Sequence, residues 1–130
     1  MNFYIAKSLR VPFEAAIKNV VAALKEEGFG VLTDIDVRAT LKEKLGIDGR
    51  PYRILGACNP SLAHRALQAE DKIGVMLPCN VIVQDRGDGT VEVAAIDPKA
   101  AMERLGNPAL TALAEEVRTK LTAVLGRLYP

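Results

Sequence analysis

Apolar residues recur along the chain with two alternating periods, and the switches between them mark out its elements. Asn2 to Leu9 sets Phe3 and Ile5 on one side and Tyr4 and Ala6 on the other, the period of a strand buried on at least one face. Pro12 supplies a first-turn proline. Phe13, Ile17, Val20, Val21 and Leu24 then recur at helical spacing through to Glu27, where Gly28 ends the helix. Glu14, Lys18, Lys25 and Glu26 fall off that stripe, so the helix has one core face and one wet face. Phe29 to Asp34 predicts the second strand. Asp36 then caps a short helix from Val37 to Leu45, whose Val37, Leu41 and Leu45 form a narrow apolar line. Gly46 followed by Ile47 matches a left-handed helix ending with a hydrophobic clasp. The turn Asp48-Gly49-Arg50-Pro51 leads into a third strand, Tyr52 to Cys58.

Three later helices open in the same way, with a capping side chain followed by proline: Asn59-Pro60, Asp97-Pro98 and Asn107-Pro108. The first of them buries Leu62, Ala63, Ala66 and Leu67. Ile73 to Asp85 and Thr90 to Ile96 are β-rich runs joined by the hairpin signal Arg86-Gly87-Asp88-Gly89. Pro78 should place a bulge or an edge in the first of these two strands. Pro98 to Leu105 is a short helix ended by Gly106. The longest helix runs from Pro108 to about Leu128 and keeps Leu110, Leu113, Val117, Leu121, Val124, Leu125 and Leu128 on one face. The order β-α-β-α-β-α-β-β-α-α, without repeats or a linker, predicts one α/β (α+β) domain over residues 1–130. Its expected architecture is a two-layer sandwich, a mixed sheet of about five strands with helices mainly on one face.

Composition narrows the classes of function. Hydrophobic residues make up 49% and charged residues 25% of the chain, a globular balance that fits neither a disordered nor a fibrous protein. The formal net charge is +1, and basic residues are scattered and never bunched, which argues against nucleic acid as a partner. The longest apolar run, Ile73 to Cys79, is too short for a bilayer and is broken by Gly74 and Pro78. No secretory signal follows Lys7 and Arg10, so a cytoplasmic protein with free thiols is expected. Sparse Asn and Gln beside plentiful Ala, Leu and charge hint at a thermophile.

Arg53 to Asn80 holds both cysteines and the single histidine. Cys58 ends a strand just before a helix start, where dipole and free amides stabilise a thiolate, although a small buried thiol filling a strand end accounts for it better. His64 lies on the same helix, roughly 130° from the centre of its apolar face, and is the weak catalytic companion of Cys58. Cys58, His64 and Cys79 form at most a weak soft-metal set, since no close Cys-x-x-Cys or His-x-x-x-His pair is present. Cys-Asn occurs twice, at Cys58-Asn59 and Cys79-Asn80. If the third and fourth strands are neighbours, Arg53, Asn59, His64 and Asn80 are candidates to line one polar pocket at a helix start, suited to a small anion. Asn59 is explained as a cap. Asn80 is not, because an asparagine in an apolar strand must find partners.

Other patterns fail on context. Gly28-Phe29-Gly30 lies between helix and strand, the wrong order for a phosphate loop. Asp34 with Asp36, and Asp85 with Asp88, lack the remaining ligands of a magnesium or calcium site. No nucleophile elbow is present.

The segments Gly30-Val31-Leu32-Thr33, Tyr52 to Pro60, Ala63-His64, Leu77-Pro78-Cys79-Asn80 and Ala95-Ile96-Asp97-Pro98 resemble the prokaryotic family catalogued as domain of unknown function three-hundred-and-two. The resemblance runs over nearly the whole chain. It implies a small single-domain α/β protein and a homodimer, brings no reaction or cofactor, and leaves the roles of Cys58, His64 and Cys79 open. The reading that follows is a homodimeric module, more binding protein than enzyme, that takes a small polar or anionic ligand at a strand-to-helix junction. The alternatives are a redox or nucleophilic protein using Cys58, and a purely structural or interaction protein.

Overall fold

The computed structural model describes residues 3–129, so the expected strand residue Asn2 lies outside it. Five strands, β1 (Tyr4–Leu9), β2 (Gly30–Asp36), β3 (Tyr52–Cys58), β4 (Cys79–Asp85) and β5 (Val91–Ile96), form one sheet in the order β1-β5-β4-β3-β2. Five helices, α1 (Phe13–Glu26), α2 (Val37–Leu45), α3 (Pro60–Ala69), α4 (Pro98–Glu103) and α5 (Pro108–Gly126), complete the α+β sandwich. The predicted element order is the observed one.

Every strand pairing is antiparallel, which corrects the expected mixed sheet. A helix between strands usually marks a parallel crossover. Here α2 and α3 each leave and re-enter at the same end of neighbouring strands, while α1 carries the chain from the β1 edge to the β2 edge.

Ile73–Met76 is a 3-10 turn, and the strand expected from Ile73 starts only at Cys79. Ile73 is buried beside α3 and α5 instead of in the sheet. Pro78 accordingly lies ahead of β4, with a cis bond from Leu77, and the bulge falls between Val31 and Thr33 of β2.

The apolar stripes of α1 and α5 bury themselves on one sheet face. Leu9, Val20, Leu24, Leu55, Val81, Val83, Val93, Leu121 and Val124 form the main core. A satellite cluster of Leu62, Ala66, Ile73, Leu110 and Leu113 ties α3 to α5, and half-buried Val117 touches both clusters. Val21 and Leu67, expected inside, are exposed. Each sits at the margin of its stripe: Val21 at the edge of the α1 face that covers the sheet, Leu67 at the edge of the α3 face that packs on α5. Lys7, on the core side of β1, donates from Nζ to the carbonyl oxygens of Leu125 and Leu128 at 3.2 and 2.5 Å, satisfying the open C-terminal end of α5. Pro12 proves to be the cap residue of α1, one position ahead of its expected place in the first turn.

Candidate functional site

The β3-to-α3 junction is built by local capping. Asn59 has extended backbone and Pro60 takes the first helical position. The Asn59 Oδ1 accepts from the Leu62 amide at 3.3 Å, and its Nδ2 donates to the Glu27 carbonyl at 3.4 Å. Both ends of the side chain are therefore occupied by the fold. His64 is exposed on α3 and makes no hydrogen bond among the described residues.

Cys58 and Cys79 are free, half-buried thiols that share a narrow apolar cavity of ≈ 50 Å³ with Leu62, Leu77, Met102 and Leu110. Burial, reinforced by nearby Cys58, pushes the Cys79 thiol up to about 11. At neutral pH Cys79 is a packed neutral side chain and no nucleophile. His64 does not line this cavity, so the weak Cys58–His64 catalytic pairing is not assembled. Among the described residues no group of three or more His, Cys, Asp and Glu side chains converges as a metal-binding set, so Cys58, His64 and Cys79 do not form one.

Side chains alternate between the two faces of a strand, and this alternation separates the expected pocket residues. Arg53 shares the helix-covered face with Leu55 and Ala57. Its Nε donates to Asp34 Oδ1 at 2.8 Å and its Nη2 to Oδ2 at 2.5 Å, with Glu14 at 3.8 Å. That pair of hydrogen bonds raises the Arg53 pKa and holds the Asp34 carboxyl below its ordinary range. Asn80 stands opposite Gly56 on the other face, alternating with buried Val81 and Val83. Arg53, Asn59, His64 and Asn80 therefore do not line one pocket. The partners expected of Asn80 are missing for the same reason, because its amide is exposed.

A different set gathers around Asn80. On the open sheet face a hollow of ≈ 340 Å³ is lined by Phe3, Tyr4, Tyr52, Asn80, Ile82 and Glu92, floored by Ala94. Phe3 and Tyr4 meet edge to face with ring centroids 5.1 Å apart. Glu92 accepts from Gln84 Nε2 at 2.9 Å and Arg86 Nη1 at 3.0 Å, which fixes its carboxylate beside the hollow. The Asn80 side chain lines the hollow, is exposed, and makes no hydrogen bond to another described residue. Sequence reasoning missed Tyr4, Tyr52 and Glu92. The signal was present in the alternate positions 52, 54, 56 and 80, 82, 84, which hold the face opposite the buried residues.

Among the described residues no helix is long and apolar enough to cross a membrane. The chain belongs to the family described as Domain of unknown function DUF302, whose model matches residues 5–128. It is similar to the crystal structure of an uncharacterized conserved DUF302 protein from Bacillus stearothermophilus, with 32% identity, a TM-score of 0.90 and 98% of each chain covered. No curated protein matches it.

Proposed function

We propose that this DUF302 chain is a homodimeric, non-catalytic module that binds a small, flat, polar molecule in the hollow around Asn80. The observation that carries this reading is an exposed, unpartnered amide among three aromatic rings on the open sheet face. Aromatic walls with one or two oriented polar groups are what small-molecule sites are generally made of. A neutral ligand fits better than the anion expected at a helix start. Arg53 is committed to Asp34 on the other face, and the charge nearest the hollow is the Glu92 carboxylate. Two free thiols fit a reducing compartment such as the cytoplasm.

Titrating neutral aromatic amides such as nicotinamide and benzamide, alongside inorganic phosphate, while following thermal stability tests the reading. A bound probe at a hundred times its dissociation constant should add about 2.7 kcal/mol, and Asn80→Ala should remove that gain. A gain with phosphate alone, or none with any amide, sinks it.

The thiol reading is supported only by Cys58, half-buried in the apolar cavity at the start of α3. Rapid native-state alkylation at Cys58 would be its signature; a Cys58 modified only after unfolding removes it.

A further inference from the structure

The hollow around Asn80 has two polar ends, and the strand register sets the distance between them. At one end Tyr52, Gln84 and Glu92 stand side by side across β3, β4 and β5. Asn80 comes four residues along β4 from Gln84, so it lies about 13 Å from the Glu92 row along the strands. The row between them holds Ala94 beside Ala6 and Ile82, and the short alanine side chains leave the hollow its depth. The Glu92 end is fixed by a chain of hydrogen bonds. Arg50 Nη1 donates to Gln84 Oε1 at 3.1 Å, which turns the Gln84 amino group onto Glu92 Oε1 at 2.9 Å, and Arg86 Nη1 donates to Glu92 Oε2 at 3.0 Å. One donor therefore sits on each carboxylate oxygen, and each oxygen keeps one lone-pair position. Arg86 already balances the charge, so the ligand has to bring donors and not a positive charge.

We infer that the ligand of this hollow is a free purine of the guanine type, its ring N–H and adjacent exocyclic amine donating to the two Glu92 oxygens and an acceptor at its far end taking the Asn80 amide N–H. This rests on the proposed function, and it names the ligand class and makes Glu92 the residue that selects it. Hydrogen bonds of about 2.9 Å at each end leave about 7 Å between the ligand's own polar atoms. That is the span of a fused two-ring heterocycle and more than that of a single ring. Phe3, Tyr4 and Tyr52 supply aromatic surface on which such a ring system stacks. Two donors side by side are what the guanine edge carries; the adenine edge sets an acceptor beside its amine, and the hypoxanthine edge has no amine. A net charge of +1 with scattered basic residues suits a free base or nucleoside and not a polynucleotide.

Isothermal titration calorimetry of the full chain with guanosine, inosine and nicotinamide tests this. Guanosine should bind most tightly. Inosine, which lacks the exocyclic amine, should bind about tenfold more weakly, the loss expected for one hydrogen bond to a charged acceptor. Glu92→Gln should erase the preference for guanosine over inosine and leave nicotinamide binding as in the wild type, because a single ring held at Asn80 does not reach residue 92. Glu92→Asp, which withdraws the carboxylate, takes its place if circular dichroism shows Glu92→Gln unfolded, with the same loss of preference expected. Asn80→Ala should weaken all three ligands. Equal affinity for guanosine and inosine, a preference that survives at Glu92→Gln, or a guanine trinucleotide bound more tightly than guanosine overturns the free purine. In each of those cases nicotinamide binding that Asn80→Ala removes still upholds the hollow as a site. Absence of binding by every probe overturns both.

Discussion

Asn59 is wedged against Gly28: its Nδ2 lies 3.0 Å from the point where a β-carbon on residue 28 would sit. The same side chain donates to Glu27 and accepts from Leu62, so one residue closes the end of α1 and the start of α3. Gly28 has φ +86°, a conformation that glycine adopts without strain.

Removing either member should therefore destabilise the fold and leave the Asn80 hollow alone. Asn59→Ala deletes a cap, at about 1 kcal/mol. Gly28→Ala combines left-handed strain with the close contact, on the order of 1–2 kcal/mol. Urea denaturation of the double variant should show the two coupled, because without Asn59 the steric part of the Gly28→Ala cost vanishes. Strict additivity would mean that the contact does not matter.

The local grammar of the chain was legible for a physical reason. Capping pairs such as Asn107-Pro108, glycine endings such as Gly46 and the 3.6-residue stripe of α5 act within a few residues. What was not legible was the face on which a strand residue ends up. Arg53 and Asn80 look like pocket partners along the sequence, yet they stand on opposite faces of adjacent strands, a fact fixed by the β3–β4 register. The antiparallel sheet was hidden similarly, because helix length alone does not say at which end a connection returns. Ile73 reads as β-rich, but its burial comes from α3 and α5, two elements remote from its local pattern.

Arg53 should behave as a structural residue. The Arg53–Asp34 pair is partly exposed, so Arg53→Gln should cost no more than about 1 kcal/mol at neutral pH. Asp34 is held below its ordinary pKa, so the pair's contribution is present above the carboxyl's unfolded value and is lost as pH falls through the lowered folded one. Acid titrations of wild type and Arg53→Gln should therefore converge in stability at low pH. Any amide probe bound at Asn80 should bind both equally. Lost binding in Arg53→Gln would return Arg53 to the site.

Gly56 has no room for a side chain. A β-carbon there would collide with Thr33 Oγ1 and come within 2.8 Å of the Pro78 ring. Gly56→Ala should thus overpack the centre of the sheet and cost about 1–3 kcal/mol. Thr33→Gly in the same chain should recover part of that loss, as seen in chemical denaturation midpoints. No recovery would mean that the Pro78 ring, and not Thr33, fills the space.

Cys79 ties burial to a measurable pH dependence. Its thiol is pushed up to about 11, chiefly by burial and secondarily by Cys58, whereas an unfolded cysteine titrates near ~8.5. Below that unfolded value both states carry the neutral thiol and its contribution to stability is complete. As pH rises toward 11 the unfolded chain ionises and the folded chain does not, so the contribution is lost through the folded value. The total is on the order of 3 kcal/mol, from about 1.36 kcal/mol per pKa unit. Cys79→Val keeps the apolar volume and removes the titration, so its stability should fall less steeply between pH 9 and pH 11 than that of the wild type. Cys58→Ser should retain most of the slope, because burial is the larger cause. Iodoacetamide should leave Cys79 unmodified in the native protein at neutral pH and label it once the chain is unfolded. Equal slopes for wild type and Cys79→Val, or ready labelling of native Cys79, would show that this thiol is not enclosed by the β3–β4 strand ends.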